Sequence, residues 1–234
     1  TTQFPNSINK YHNYYLLLRV GTYFGACSHV PEQLGVDAAG ELSGKALKSC
    51  LTDPRLPVRI AAMDAYFGTV YPHERQCSEA VELPGGTPTE KAEFRDNLIA
   101  DIAKVEQGMK IALIGVVNPL IAAIRKRGGT CLPCDLQMER THWGDPVEKD
   151  MEKVLDSADG VICTGMTLSN GTFDRVIERV LERSIPLTVY AQTGSAVAAR
   201  FVGAGITSLV AEPFPFSQFS ANATRVFCYR GQGD

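Results

Sequence analysis

A chain of 234 residues is long enough for one large domain or two smaller ones, and 44% hydrophobic residues are enough to build a core. The net charge of −3, with Lys and Arg scattered along the chain, disfavours a nucleic-acid-binding surface. No apolar run is long enough to cross a bilayer, and the first residues lack the apolar core of a secretory signal. We therefore expect a protein that acts on a small molecule, with neither nucleic acid nor membrane as its partner.

The N-terminal part of the chain predicts two strands followed by two helices. Tyr14–Gly21 is aromatic and β-rich, and Tyr23–Val30 predicts either a second strand or a turn around Gly25. A short helix is predicted at Gly44–Leu51. Pro57–Tyr71 is an amphipathic helix with proline at its start. These elements predict a small α+β unit.

After this unit the pattern changes to alternating strands and helices. The Pro- and Gly-rich stretch 72–89 predicts a connector, and Thr89–Gly108 predicts a helix. Strands with helices between them are predicted at Lys110–Val117, Thr130–Leu136, Val161–Cys163, Leu187–Gly194 and Ile206–Glu212. Short apolar strands of this kind indicate a parallel sheet covered on both faces. The predicted fold class is α/β, with an N-terminal α+β domain over residues 1–88 and a Rossmann-like parallel-sheet domain over 89–234.

A polar segment follows the central strand of this second domain. Gly160–Asp174 runs from a buried strand through a polar loop, Thr164–Asn170, into the start of a helix. In an open α/β sheet, ligands bind at this carboxyl edge, and the N–H groups of the helix start favour an anionic group. A simple helix-capping role for Ser169 or Asn170 is the alternative. The candidate ligand contacts are Thr164, Gly165, Thr167, Asn170 and Thr172.

Other residues are predicted at the same edge. Gly115 is the only glycine of the first strand-to-helix turn, where a dinucleotide site needs three, so NAD is disfavoured. Asp135 falls where an acid often binds a ribose hydroxyl, which suits a nucleoside-type ligand, although a solvated strand end is equally compatible. Asn118, Gly194 and Ser195 are further candidate ligand contacts.

Several side chains could carry acid–base or metal chemistry. Cys27 and His29 lie two residues apart near a strand end and share a face, so they could form a nucleophile or half of a metal site. A structural histidine is the alternative. Asp64 and Glu212 are either general bases or solvated acids. His73 lies in the predicted connector and is expected at the surface.

The cysteines favour a reducing compartment. The chain has seven, an odd number, and Cys163 and Cys228 lie in apolar segments as expected of core residues. Cys131 and Cys134 have the spacing of a redox or metal pair. They fall within or at the end of a strand, with no further ligand close behind, so neither role is favoured. We expect free thiols and a cytoplasmic location.

The chain resembles the putative heavy-metal chelation domain proteins of bacteria and archaea. The segment Thr164–Thr172, TGMTLSNGT, is similar to that family's T-G-[ST]-T-L-V-N-G-T signature. Ile60–Ala65 is similar to a helix that reads A-A-x-N-A in relatives, with Asp64 in place of the amide. Val20–Tyr23 and Gly40–Gly44 correspond loosely to early glycine motifs. The chain departs from the family at Ala191–Ser195, AQTGS, where relatives have Gly-Pro-Ser-Thr-Pro.

The resemblance implies a capping domain like that of enolases, followed by a Rossmann-like domain, with a site in the cleft between them. Our first hypothesis is a cytoplasmic enzyme in metallophore or other specialised-metabolite biosynthesis. S-adenosylmethionine is its candidate cofactor, because the glycine-poor first turn suits it better than NAD. Tyr23, His29 and Asp64 would act as general acids or bases.

The alternative hypothesis is a non-catalytic protein that binds a divalent transition metal or its chelate, with Cys27 and His29 as ligands and Cys131 and Cys134 as further candidates. A homodimer is a further expectation. The C-terminal aromatics Phe214, Phe216 and Phe219 would cover another surface, or else pack on the chain's own core.

Overall fold

The computed structural model describes residues 13–231; residues 1–12, which open the predicted N-terminal domain, and residues 232–234 lie outside that range. The strands are β1 (Tyr14–Val20), β2 (Tyr23–His29), β3 (Glu79–Leu83), β4 (Lys110–Ile114), β5 (Thr130–Cys134), β6 (Gly160–Thr164), β7 (Leu187–Ala191), β8 (Ser208–Ala211) and β9 (Thr224–Arg230).

The α-helices are α1 (Ala38–Leu42), α2 (Leu47–Leu51), α3 (Leu56–Val70), α4 (His73–Gln76), α5 (Pro88–Ile102), α6 (Asn118–Lys126), α7 (Met151–Ser157), α8 (Met166–Asn170), α9 (Phe173–Arg183) and α10 (Ser195–Ala198). Short 3₁₀ turns lie at Ala199–Phe201 and Ser217–Phe219. Within residues 13–231, no helix combines the length and apolar content needed to span a membrane.

Seven strands form one mostly parallel sheet in the order β3-β9-β8-β7-β6-β4-β5. The strands β4 to β8 run parallel, and β9 is antiparallel to both β8 and β3. Chain order along the parallel strands reverses between β4 and β6, which makes this boundary the topological switch point of a doubly wound sheet. The predicted α/β class with a Rossmann-like parallel sheet is therefore confirmed.

The sheet separates two hydrophobic cores because successive residues of a strand point to opposite faces. On β4, Ile111 and Leu113 pack with α5 and α6, whereas Ala112 and Ile114 pack with α7, α9 and the N-terminal unit. Burial on both faces explains why these strands are apolar throughout rather than alternating.

The N-terminal unit is an antiparallel β1–β2 hairpin laid on α3, with its own two-stranded sheet. The backbones of β2 and α3 touch at Gly25, where an added Cβ would lie 2.1 Å from the Ala65 nitrogen. The strands and helices predicted for this region are thus present. The hairpin brings the end of β2 beside the carboxyl edge of the large sheet.

Two local predictions are wrong and one strand was not predicted, because tertiary contacts decide the conformation of these segments. The predicted connector 72–89 contains α4 and β3, and β3 joins the large sheet by pairing with β9. The strand β9, inserted between β3 and β8, has no counterpart in our predictions. The loop predicted at Thr164–Asn170 is largely the helix α8. The domain boundary between residues 88 and 89 remains a prediction.

The C-terminal aromatic stretch packs mainly on the hairpin of its own chain. The ring of Phe216 is fully buried with its centroid 5.3 Å from that of Tyr15, and Phe214 lies at the same distance from Phe24. Phe219 keeps 52% of its surface exposed. The expected homodimer stays a prediction.

Candidate functional site

A cleft of about 1570 Å³ lies along the carboxyl edge of the parallel strands. One side is formed by the ends of β1 and β2, one by α5, and the floor by the residues that follow β4, β5, β6, β7 and β8. Its position at the end of five parallel strands, beside the switch point, is where open α/β sheets bind ligands. We therefore treat this cleft as the candidate functional site.

The switch point itself is tightly packed. Gly115 has a φ of +84°, and an added Cβ there would lie 2.4 Å from the Cγ2 of Thr164. The hydroxyl of Tyr190 donates to the Gly115 carbonyl at 2.7 Å. Only glycine combines this φ with such a close neighbour. Gly115 therefore lets β4 and β6 approach closely at the switch point.

Five polar residues of the predicted segment line the cleft: Thr164, Thr167, Ser169, Asn170 and Thr172. They also hold their own turn, because the Thr167 hydroxyl donates to the Thr164 carbonyl at 2.7 Å. The Asn170 Oδ1 accepts from both the backbone nitrogen and the hydroxyl of Thr172. Gly165 does not line the cleft. An added Cβ there would meet the Thr193 carbonyl oxygen at 2.4 Å, so this glycine serves packing.

Asn118 and Asp135 both line the cleft and both anchor the segment 135–150. Asn118 Oδ1 accepts from the backbone nitrogen of His142 at 2.9 Å. Asp135 accepts through Oδ1 from the nitrogens of Gln137 and Met138, and through Oδ2 from the nitrogen of Val116. The carboxylate of Asp135 is therefore held in place, and its Oδ2 accepts only one hydrogen bond from the described residues.

Asp64, proposed as a general base, lies in the core beneath the hairpin rather than in the cleft. Its carboxylate accepts from the Ala26 nitrogen at 2.8 Å and from the Ala196 nitrogen at 2.7 Å. Burial raises its pKa to about 7, although the backbone hydrogen bonds act in the opposite direction. These contacts tie β2, α3 and α10 together, which gives Asp64 a structural role.

Ser195, Gly194 and Tyr23 also lie behind the cleft, around a buried histidine. His73 is 1% exposed, so its expected surface position is wrong. Its Nε2 lies 3.1 Å from the Ser195 Oγ, and its Nδ1 2.5 Å from the Tyr229 hydroxyl. The ring centroid of Tyr23 is 6.3 Å from that of His73, and the Gly194 nitrogen donates to Ala26.

His73 and Ser195 are paired as a general base and a nucleophile would be, but a substrate cannot reach them. Ser195 is 0% exposed, and burial lowers the pKa of His73 to about 4 and raises that of Tyr23. The hydroxyl of Tyr23 is itself buried without a hydrogen-bond partner. No substrate path to these groups is visible in the part of the chain that the structure describes, and we assign the cluster to the core.

Cys27 and His29 are not brought together at the cleft. The Cys27 thiol is fully buried and donates to the Ser28 carbonyl at 3.2 Å, and burial raises its pKa to about 12. His29 does line the cleft, where its Nδ1 lies 3.0 Å from the Val30 carbonyl. Since a metal binds the thiolate, this environment disfavours Cys27 as a ligand. Among residues 13–231, no three His, Cys, Asp or Glu side chains form a group that could hold a metal ion.

Cys131 and Cys134 lie on opposite faces of the sheet. Cys134 packs in the core with α7 and α9, whereas Cys131 packs against the core with α5 and α6. Burial raises the pKa of Cys131 to about 12 and that of Cys134 to about 11. The two thiols therefore cannot act on one metal or form a redox pair, as their strand position indicated.

The most unusual part of the cleft is a cluster of buried charges. Arg95 donates from Nε to Asp96 Oδ1 at 3.0 Å and from Nη1 to Glu212 Oε2 at 3.2 Å. Gln192 donates to the same Glu212 oxygen at 3.0 Å, and the Ser217 nitrogen donates to Oε1. Glu212 thus lies in the cleft directly after the end of β8. We call Arg95, Asp96, Gln192 and Glu212 the buried charge cluster.

Arg95 and Asp96 were absent from our predictions, although the sequence contains a signal for Asp96. On α5, Ala92, Ile99 and Ala100 form the buried face, and Asp96 falls on that face by helical spacing. A carboxylate on the apolar face of a helix is rare without a partner. Burial raises the pKa of Asp96, with Arg95 opposing it. Such a shifted group beside a cleft is a candidate functional residue.

The rim of the cleft is aromatic. Tyr14, Trp143 and Phe219 line it and are exposed, and the guanidinium of Arg125 stacks 4.8 Å from the Trp143 ring. Charge along the whole lining is predominantly negative. The carboxylates are Glu93, Asp96, Asp135, Asp150, Glu152 and Glu212, against Arg95, Lys126 and Lys149. The cleft as a whole therefore favours a cationic ligand over the anionic one expected from its helix start.

Residues 97–207 match the model of the DUF364 family, described as putative heavy-metal chelation, which confirms the resemblance drawn from the sequence. No match is found among curated proteins. Two solved structures of the same family share the fold. A protein of unknown function from Pyrococcus horikoshii is 14% identical with a TM-score of 0.59, covering 93% of this chain and 89% of its own. One from Desulfitobacterium hafniense is 17% identical with a TM-score of 0.58, covering 83% and 74%.

Proposed function

Since residues 97–207 belong to the putative heavy-metal chelation family, we propose that the protein is an enzyme that acts on a small polar metabolite in this cleft. The observation that carries the proposal is the buried charge cluster. Burying Arg95, Asp96 and Glu212 costs more folding free energy than apolar residues of similar size would. Proteins retain such groups where function needs them.

The acid–base candidates at the cleft are Asp96 and His29. Because burial raises the pKa of Asp96, this carboxyl holds a proton at a higher pH than an exposed aspartate does. His29 lies on the opposite side of the cleft, at the end of β2. These two residues replace Tyr23 and Asp64 in our proposal, because the latter pair lies away from the cleft.

S-adenosylmethionine remains our proposed cofactor, and the donor set fits it. Asp135 Oδ2, with only one bond, keeps a lone pair for a ribose hydroxyl. The acidic lining suits a ligand with sulfonium and ammonium groups, and it disfavours the anionic pyrophosphate of a dinucleotide. When bound, this cofactor would supply an activated alkyl group. Asn118, Thr164 and Asn170 would orient it.

The proposal also covers the location of the protein, its biological role and its oligomeric state. All seven cysteines are free thiols, which is consistent with a cytoplasmic protein. The family description, putative heavy-metal chelation, supports a role connected with metal chelation, and within it we propose that the enzyme helps to make a metallophore or other specialised metabolite. We also propose that the protein is a homodimer, which light scattering at the concentration of the binding experiments tests.

A second candidate function is the binding of a metal chelate. It rests on His29, whose Nδ1 contact with the Val30 carbonyl leaves Nε2 as the nitrogen available to a ligand in the cleft. A backbone carbonyl on the other ring nitrogen is a common arrangement for metal-binding histidines. The chelate itself would supply the remaining ligands.

Thermal-shift and calorimetric titration of metal-free protein with S-adenosylmethionine, S-adenosylhomocysteine, NAD, nucleotides and divalent metals tests these proposals. We expect the adenosyl compounds to raise the melting temperature. Asn170→Ala should weaken this binding while staying folded, and Glu106→Gln, outside the cleft, should not. Stabilisation by transition metals alone, lost in His29→Ala, would support the second candidate. No stabilisation by any compound would contradict both.

A further inference from the structure

We propose that the cleft recognises its ligand through a protonated amine, which binds the free carboxylate oxygen of Asp96. The inference rests on the proposed function and names the class of ligand for the same site. It follows from one unpaired atom, from the charge of its surroundings and from a second unpaired atom in the same cleft.

The unpaired atom is Asp96 Oδ2. Oδ1 of the same carboxylate accepts from the Nε of Arg95, but Oδ2 is buried and has no hydrogen-bond partner. Buried polar atoms in native proteins are nearly always paired, so an exception indicates a missing partner. Because Asp96 lines the cleft, a bound ligand is a partner that can reach this oxygen.

Charge decides what kind of donor the partner is. The buried charge cluster holds two carboxylates against one guanidinium. Both oxygens of Glu212 have protein donors, so when Asp96 is ionised the uncompensated negative charge falls on Asp96. A neutral N–H or O–H would complete the hydrogen bond but leave the buried charge in place, whereas an ammonium group does both.

A second unpaired group lies in the same cleft. The hydroxyl of Ser28 is buried without a partner, and Ser28 lies directly across the hairpin from Tyr15. Cross-strand partners share a face, and Tyr15 lines the cleft as well. Ser28 Oγ is thus a second unfilled acceptor in the lining of the cleft, available to a ligand that carries several N–H donors. The aromatic rim, with Tyr14 and Trp143, also favours a cation.

Access to Asp96 depends on Arg95. The Arg95 side chain keeps 15% of its surface exposed at the cleft, against 1% for Asp96. Arg95 is long and rotatable, and it bonds Asp96 and Glu212 through different nitrogens, so the bond to Asp96 can break while the bond to Glu212 is kept. Binding of the amine is therefore coupled to a shift of this arginine.

The test is a calorimetric comparison of matched probes on the full chain. S-adenosylhomocysteine and 5′-methylthioadenosine share the adenosyl group, but only the first has an ammonium; spermidine and its diacetylated form differ in primary-amine charge. We expect the member of each pair that has the free primary ammonium to bind at least about tenfold more tightly, as for a charge-assisted hydrogen bond; the spermidine pair shows whether the carboxylate of S-adenosylhomocysteine is needed. Asp96→Asn should remove that preference, and Ser28→Ala should reduce it.

Asp101→Asn is the matched control, because Asp101 is an exposed residue of the same helix, paired with Arg127 outside the cleft. If Asp96→Asn does not fold, the probe pairs on the unmodified protein and on Ser28→Ala decide. Equal binding within both pairs, or an unchanged preference in Asp96→Asn, overturns the inference. Binding of 5′-methylthioadenosine without any preference for amines leaves the proposed function standing. Binding of none of the four probes contradicts both.

Discussion

The carboxylate of Asp64 accepts a hydrogen bond from the backbone nitrogen of Ala196 across 2.7 Å, and so joins the N-terminal unit to the large sheet. Its second oxygen accepts from Ala26 at 2.8 Å. One fully buried side chain thus satisfies backbone donors of both β2 and α10. This contact fixes the hairpin over the carboxyl edge of the sheet and thereby shapes the cleft.

Replacing Asp64 by alanine should destabilise the protein by about 2–5 kcal/mol, because two buried backbone N–H groups lose their acceptor. Asp64→Asn keeps one acceptor oxygen and should cost about 1–3 kcal/mol. Urea unfolding measures both. Glu139→Gln, at an exposed position, is the control and should change stability by less than about 0.5 kcal/mol. Equal stability of Asp64→Ala and the control would mean that the contact does not join the two parts.

The burial of His73 should make stability depend on pH in a defined direction. Its folded pKa is lowered to about 4 from 6.5, so the unfolded chain binds more protons between these values. The buried neutral imidazole of His73 therefore makes its full contribution to the free energy of unfolding above pH 6.5. This contribution, on the order of 3 kcal/mol, is lost as the pH falls towards 4. His73→Gln removes the titration.

The measurement is the difference in unfolding free energy between the unmodified protein and His73→Gln from pH 7.5 to 4.5. Taking the difference cancels the contribution of Asp64, which has the opposite sign because its pKa is raised. A difference that shrinks with acid confirms the prediction. A constant difference would show that the imidazole is already charged or is reached by solvent.

Gly25 should tolerate no side chain. An added Cβ would lie 2.2 Å from the Ala61 carbonyl oxygen, and backbone atoms cannot yield as a flexible side chain does. We expect Gly25→Ala to cost more than about 3 kcal/mol or to prevent folding. Gly40→Ala is the matched control in α1, where nothing lies within 4 Å, and it should be neutral or slightly stabilising. Similar melting temperatures for both variants would contradict the close contact of β2 and α3.

Cys27 should be unreactive in the native protein. With its pKa raised to about 12 by burial, almost no thiolate is present at pH 8, and the sulfur is shielded. Iodoacetamide followed by mass spectrometry should modify Cys27 only after addition of denaturant. Cys77, which is partly exposed, is the internal comparison and should react first. Rapid native modification of Cys27 would restore it as a candidate metal ligand.

The sequence by itself determined the α/β class, most helices and the edge of the sheet at which the candidate cleft lies. Parallel strands covered on both faces must be apolar, and apolar runs such as Lys110–Ile114 make that requirement visible without a structure. Thr164 and Asn118 could be placed at one edge because strand ends of a parallel sheet meet there.

Only the tertiary structure decided which polar side chains face the cleft. Asp64 and Asp96 both lie on buried helix faces, but their roles differ. Both oxygens of Asp64 accept hydrogen bonds from backbone nitrogens, whereas Oδ2 of Asp96 has no partner. The strands β3 and β9 likewise depend on each other, since each becomes a strand of the large sheet through pairing across about 150 residues of chain. The local sequence indicates which segments form helices or strands and which of their faces are buried. Residues distant along the chain decide which partner a polar side chain bonds and whether it reaches the cleft.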